Sequence, residues 1–252
     1  MTSDDCRHDF DGWPPLLELR QYALRPGRRD DLIDLFDAEF VESQERLGMG
    51  VYGQFRDLDD TDRFVWLRGY PDGSAERRGK ALAAFYGGPV WAEHGKAANA
   101  AMVDSDDVFL LAPIRRDEPF VGEPAHPPVG SAPPDSVYDL TVCLLERPPD
   151  RDLLDYVSSD VVPMLTRVAA APVAALVSRD VPNMFPALPV REDEPVVAWL
   201  VRLDNATAHA AYRRRLRESP RWRDETWPRL QDAQRAEPLR LRLGPTGRSR
   251  LR

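Results

Sequence analysis

The sequence predicts an α+β protein built from two tandem β-α-β-β-α-β units whose antiparallel sheets pair into one α/β barrel within a single chain. Three observations predict it. A proline-rich stretch, EPFVGEPAHPPVGSAPPDS at 118–136, reads as a linker between the two units, because neither a helix nor a central strand could persist there. The flanks on either side carry the same order of alternating and helical segments. Short anchors recur in the same order in both: Arg25-Pro26 and Arg147-Pro148, Trp66-Leu67 and Trp199-Leu200, Asp72 and Asp204, Pro89-x-Trp91 and Pro220-x-Trp222. An ordered series of this kind marks a duplicated supersecondary unit.

The first unit, 16–117, begins with LLELRQYAL, whose period of two reads as a strand. RPGRRDDLIDLF starts a helix running to about Arg46, with proline suited to a helix start. VYGQFRDL and FVWLRGY form strands around the turn DDTD, a long helical region follows, and VFLLAP closes the unit. The second unit, 137–244, repeats the plan with VYDLTVCLLE, RPPDRDLLDYV, PVAALVSRD, VVAWLVRLD, another helical region and PLRLRLG. Asp72 and Asp204 stand where helix N-caps are expected. Residues 1–15 read as a flexible N-terminus and 245–252 as a basic, solvated tail. Each sheet would carry helices on one face, and two bare faces packed together would enclose a barrel interior.

The totals exclude several classes. A net charge of −8 argues against a nucleic-acid or anionic-membrane partner. The charge is uneven: residues 1–130 hold 15 basic and 25 acidic side chains, the remainder 19 and 17. No apolar run reaches the roughly 20 residues of a membrane span. The acidic start MTSDDCRHDFDGW does not read as a secretory signal. Cys6 and Cys143, far apart, read as two reduced thiols of a cytoplasmic protein.

The strands suggest the site. Glu18, Arg20 and Tyr22 alternate on one face of the first strand, with Leu17, Leu19 and Ala23 opposite; Phe64, Trp66, Arg68 and Tyr70 share a face of the third. If the apolar set meets the helices, the polar set points into the barrel. The second strand adds either Tyr52, Gln54 and Arg56 or Gly53 and Phe55, which periodicity leaves open. The matching residues of the second unit, Tyr138, Leu140, Val142, Leu144, Val197, Trp199 and Val201, are nearly all apolar. An apolar wall facing a few convergent polar groups is what a small-molecule pocket needs. Arg20 and Arg68 against Glu18 leave surplus positive charge, suited to an anionic or enol-like ligand. The blander reading is an ion-pair network that satisfies only itself.

On this reading Arg20, Tyr22, Gln54, Trp66, Arg68 and Tyr70 bind substrate, while Glu18 or His94 moves a proton. His94 stands three residues after Trp91 on one helical face, and it is also the one candidate axial ligand should the pocket take haem. Neither a metal nor another cofactor is expected. His209 reads as structural or exposed, and Trp91 and Trp222 as core. GMGVYG at 48–53 leaves a helix and enters a strand, the reverse of a phosphate-binding loop. DLDDTD at 57–62 lacks the glycine and terminal glutamate of a calcium loop. Cys6, His8 and Asp9 have metal-ligand chemistry but sit in the flexible start.

ELRQYALRPGRRDDLIDLF, GQFRDLDDTDRFVWLRGY, FYGGPVW and NAAMVDSDDVFLLAP, spread over residues 16–113, resemble the NIPSNAP family of the dimeric α/β-barrel, ferredoxin-like superfamily. The second half resembles it in outline only. The resemblance implies ferredoxin-like units with a ligand space between sheet and helices. It also implies a small-molecule protein among relatives that include cofactor-free monooxygenases acting on polyphenols, haem-binding enzymes, and isomerases or dehydratases. It carries no catalytic motif to transfer. The expected function is a cofactor-independent enzyme of specialised metabolism with monooxygenase, isomerase or cyclase-like chemistry, acting on an anionic or enolisable, partly aromatic substrate. The alternatives are a non-catalytic carrier or sensor, and a haem-binding barrel. The two units form a pseudo-dimer, and further pairing of whole chains is left open.

Overall fold

The computed structural model describes residues 12–169 and 171–252; the Cys6, His8 and Asp9 group lies outside them. Eight strands close into one antiparallel barrel. The first unit supplies β1 (Leu16–Leu24), β2 (Gly50–Asp57), β3 (Arg63–Tyr70) and β4 (Met102–Pro113). The second supplies β5 (Val137–Leu144), β6 (Pro172–Ser178), β7 (Val196–Leu203) and β8 (Leu239–Pro245). The circuit runs β1-β3-β2-β8-β5-β7-β6-β4, so the units join at two seams, β2 with β8 and β4 with β6.

Helix α1 is composite: Arg29–Leu35, a π-helical turn Phe36–Phe40, and Val41–Glu45. α2 (Ala75–Tyr86) and α3 (Pro89–Ala101) complete the first unit's outer layer. The second unit repeats the pattern. Its α4 joins Arg151–Tyr156, a π turn Val157–Val161 and Val162–Val168; α5 is Ala206–Glu218, and α6 a π turn Trp222–Thr226 followed by Trp227–Gln231. Both units thus place a π turn in the middle of the helix after their first strand. The helices that follow β3 and β7 are capped by Ser74 and Asn205, whose side chains accept from Arg77 N and Ala208 N. These caps lie two and one residues beyond the expected Asp72 and Asp204, and α1 and α4 start three residues after Pro26 and Pro148.

The expected orientation of the strands is reversed. Leu17, Leu19, Val65 and Leu67 pack inside the barrel with Phe55, Tyr138, Leu140, Val142, Ala198 and Leu200. Tyr22, Phe64, Trp66 and Tyr70 instead face the helices, packed with Phe36, Phe40, Leu82 and Phe85. In the second unit Val197, Trp199 and Val201 also turn outward, against Val157, Leu165 and Tyr212. The physical reason is closure: eight strands leave an interior only wide enough for side chains to fill, and fully apolar residues fill it at least cost. On β2 a bulge between Val51 and Gly53 breaks the alternation. Val51 faces the helices, whereas Tyr52 and Phe55 face inward. Gln54 pairs in register with Trp66 and is fully buried, with both of its amide atoms unpartnered.

The C-terminal tail is buried, not solvated. Arg248 and Arg250 are each only 4% exposed, and Thr246, Ser249 and Leu251 are fully covered. Arg248 pairs with Glu42 and donates to the carbonyls of Asp37 (2.5 Å) and Pro127 (2.9 Å). Arg250 lies over the rings of Phe120 (4.6 Å) and Tyr52 (5.5 Å). The proline-rich segment therefore straps the tail to the barrel.

Candidate functional site

Glu18 on β1 pairs in register with Arg68 on β3, and Arg20 with Trp66. Their side chains meet under α2 in a fully buried cluster. Glu18 Oε2 accepts from Arg20 Nη1 (2.9 Å) and from Arg68 Nε (2.8 Å) and Nη2 (2.5 Å). Its Oε1 accepts from Tyr70 Oη (3.1 Å) and Arg78 Nε (2.6 Å). Burial pushes the Glu18 carboxyl upward, but Arg68, Arg78 and Arg20 outweigh it and hold the group well below the ordinary carboxylate range. Burial, reinforced by the Glu18 carboxylate and opposed by Arg68, raises the Tyr70 hydroxyl.

Three guanidinium groups thus share one carboxylate. The remaining contacts of these arginines are with neutral groups. Arg20 Nε donates to Tyr22 Oη (3.0 Å) and its Nη2 lies 3.4 Å from Ser105 O. Arg68 Nη1 donates to Gln44 Oε1 (2.8 Å), and Arg78 Nη1 to Asn183 Oδ1 (2.8 Å). Arg78 Nη2 is buried without a partner. The cluster therefore carries two more positive than negative charges, away from water.

Against this cluster lies a cavity of about 330 Å³ between the first sheet and its helices. Its walls are mainly aromatic: Phe36, Phe40, Trp66, Phe85, Trp91 and Phe185. Tyr22, Gln44, Asn99 and Ser105 supply polar groups. The π turn brings both Phe36 and Phe40 to the cavity. The charges reach it one residue back: Arg20 through Tyr22 Oη, Arg68 through Gln44, and both through Trp66, whose ring lies 5.7 and 5.1 Å from their guanidinium carbons. Tyr22 Oη accepts from Arg20, leaving its proton to donate, and Trp66 Nε1–H is buried and unpartnered. The arrangement can hold an anionic or strongly accepting oxygen on a flat apolar body.

Of the predicted residues, Tyr22 and Trp66 line the cavity. Glu18, Arg20, Arg68 and Tyr70 form the cluster behind it. Gln54 is outside the cavity, on the helix-facing side beside Trp66. His94 is outside as well: its Nε2 lies 3.6 Å from Glu39 and 3.8 Å from Glu93, and it is not among the residues lining the cavity. Trp91, expected as plain core, is a cavity wall. Among the described residues, no group of three or more His, Cys, Asp or Glu side chains could hold a metal ion, and no helix is long and apolar enough to cross a membrane. Sequence reasoning missed Arg78, Gln44 and residues 179–195, the loop between β6 and β7. That loop crosses from the second unit and lays Phe185, Ala187 and Leu188 over the cavity. Its one sequence signal is its apolar, proline-punctuated content, VPNMFPALPV.

No protein-family model and no curated protein matches the sequence. Solved structures do match the fold. An "anthrone oxidase-like protein" is 14% identical, with a TM-score of 0.58 over 92% of this chain and 91% of its own. A "putative monooxygenase" from Fusobacterium nucleatum is 9% identical, with a TM-score of 0.57 over 93% of both chains. At these identities the likeness is one of fold. A NIPSNAP domain protein from Burkholderia xenovorans aligns with 39% of this chain and 93% of its own, at 16% identity and a TM-score of 0.35, too low to carry an inference.

Proposed function

We propose that the cavity between the first sheet and its helices binds an aromatic, enolisable small molecule as its oxyanion, and that the protein is a cofactor-independent enzyme acting on it. The observation that carries this reading is the surplus charge of Arg20, Arg68 and Arg78 over Glu18, buried beside an aromatic cavity. Buried charge without a counter-charge is costly, and a bound anion relieves that cost. When a substrate C–H acid loses its proton, negative charge develops on the conjugated oxygen. Fixed positive charge behind Tyr22 and Trp66 stabilises that charge where water cannot screen it. The similar folds, one named a "putative monooxygenase" and the other "anthrone oxidase-like", make oxidation by dioxygen the reaction class to test first.

A carrier is the second reading, and one observation favours it. No carboxylate or imidazole is among the described residues lining the cavity, and Glu18, with both oxygens engaged by cations, is a poor base. Titration with 2-naphthoate and with neutral 2-naphthylmethanol tests the site. Tighter binding of the anion, by about tenfold or more, and its loss in Arg20→Met are expected. Equal affinities would sink the anion site. Oxygen uptake with anthrone then separates enzyme from carrier: turnover above the buffer rate supports the first, binding without uptake the second.

A further inference from the structure

Residues 179–195 are held at both ends on β4, through Arg179 N to Leu110 O (2.8 Å) and Arg191 N to Val108 O (2.8 Å). Between these points the segment leaves the second unit and closes over the first. Phe185 stacks on Tyr86 with ring centroids 5.6 Å apart, and Leu188 is buried among the first unit's aromatic side chains. Gly79 on α2 admits the segment at close range, since a Cβ there would lie 2.9 Å from the Met184 backbone oxygen.

One residue of this segment reaches the charged cluster. Asn183 Oδ1 accepts from Arg78 Nη1 (2.8 Å) and from Phe185 N (3.2 Å), and its Nδ2 donates to Leu188 O (3.1 Å). The amide therefore joins three things: a cluster arginine, the backbone of a cavity wall residue, and the carbonyl of another. We infer that Asn183 is a positioning residue, a neutral latch that closes the loop over the cavity without cancelling the cluster's surplus charge. A carboxylate at 183 would pair better with Arg78, but it would lower the surplus from two charges to one and could not donate to Leu188 O. An apolar residue would leave Arg78 Nη1 unpartnered beside Nη2, which already is, and would free the loop. Only a side chain with both an acceptor and a donor, and no charge, serves both demands. The second unit thus contributes closure to the first unit's site through one amide.

This inference rests on the cavity being a binding site, so its test begins without ligand. Hydrogen exchange is followed on the unliganded wild type, Asn183→Ala and Asn183→Asp. In Asn183→Ala, exchange at the amides of Phe185 and Leu188, which are hydrogen-bonded within the loop, is expected to rise about tenfold or more while β3 and β7 stay protected. Unchanged exchange there overturns the latch even if every ligand fails to bind. Binding of 2-naphthoate, followed by stopped-flow tryptophan fluorescence, then separates the two roles. Asn183→Ala is expected to speed association and dissociation together by about tenfold, with Kd changed by less than about threefold. Asn183→Asp is expected to weaken Kd by about tenfold or more, with the loop less loosened than in Asn183→Ala. Equal affinity of the wild type and Asn183→Asp overturns the role of neutrality. If the wild type does not bind 2-naphthoate, the proposed ligand class fails, and the exchange data alone decide whether Asn183 latches the loop.

Discussion

The two halves of the barrel build the same frame and load it differently. In each, an acid on the first strand faces the helices and meets a basic side chain four residues past a helix N-cap. In the first unit these are Glu18 and Arg78, after Ser74; in the second they are Asp139 and His209, after Asn205 (Oδ2 to Nε2, 2.8 Å). The register partners then diverge. Glu18 lies opposite Arg68 and Arg20 opposite Trp66, whereas Asp139 lies opposite Val201 and Thr141 opposite Trp199. Asp139 keeps His209 and a longer contact to Arg213 (3.6 Å), near the edge of its layer. The shared acid is thus a framework feature, and the added arginines give the first half alone the surplus charge on which the proposed binding site rests.

The comparison breaks first at the acids. Glu18→Ala leaves three buried guanidinium groups with no carboxylate and is expected to cost about 3–5 kcal/mol in denaturant unfolding. His209→Ala removes one partner of a less enclosed acid that retains Arg213. It is expected to cost about 1–3 kcal/mol and to leave 2-naphthoate binding unchanged. Equal losses would mean that the two networks do the same structural task and that the surplus charge is incidental.

Two buried carboxylates within the first unit sharpen the point through pH. Glu18 is held low, so its contribution is present above the ordinary carboxylate range and is lost as pH falls below it. Asp37 on the π turn behaves oppositely. Burial raises it from 3.8 to about 6, against the lowering effect of Arg248. Through that window the folded protein keeps a proton the unfolded chain has released, so stability falls as pH rises. Asp37→Asn is expected to flatten the loss between pH 4 and about 6 in unfolding curves; an unchanged slope would assign it to another group. The smallest effect is an internal control. Ser74→Ala and Asn205→Ala are each expected to cost about 1 kcal/mol in thermal unfolding, with the two values alike because the caps are alike.

Much of this frame was legible in the sequence. The duplicated order of elements, the proline-rich break between the units and the shared face of Glu18, Arg20, Trp66 and Arg68 could all be read, because periodicity and punctuation are local properties. The direction of that face could not. Alternation separates two faces but does not say which one meets helices when both are buried, and intuition places charge in a pocket inside the barrel. Closure decides otherwise, because the narrow interior takes the aliphatic face. The bulge at Val51–Gly53 was equally invisible, which is why Gln54 could not be placed. Arg78 and Asn183 were missed for a different reason. Arg78 comes to Glu18 from 60 residues away along the chain and Asn183 to Arg78 from 105, and nothing in ERRGK or VPNMF announces a long-range partner.

The two seams, β2 on β8 and β4 on β6, join two halves of one polypeptide into a single barrel. A barrel assembled from two identical subunits repeats every substitution: an arginine gained on one side appears on the other, and a loop lengthened to cover one cavity is lengthened over both. Within one chain that symmetry constraint is gone. One half was free to gather arginines while the other kept Val201 and Thr141 at the matching places, and the second half's loop could grow across a single mouth. Joining the halves lets one carry the cavity and the other its cover, which a mirrored pair would have to share.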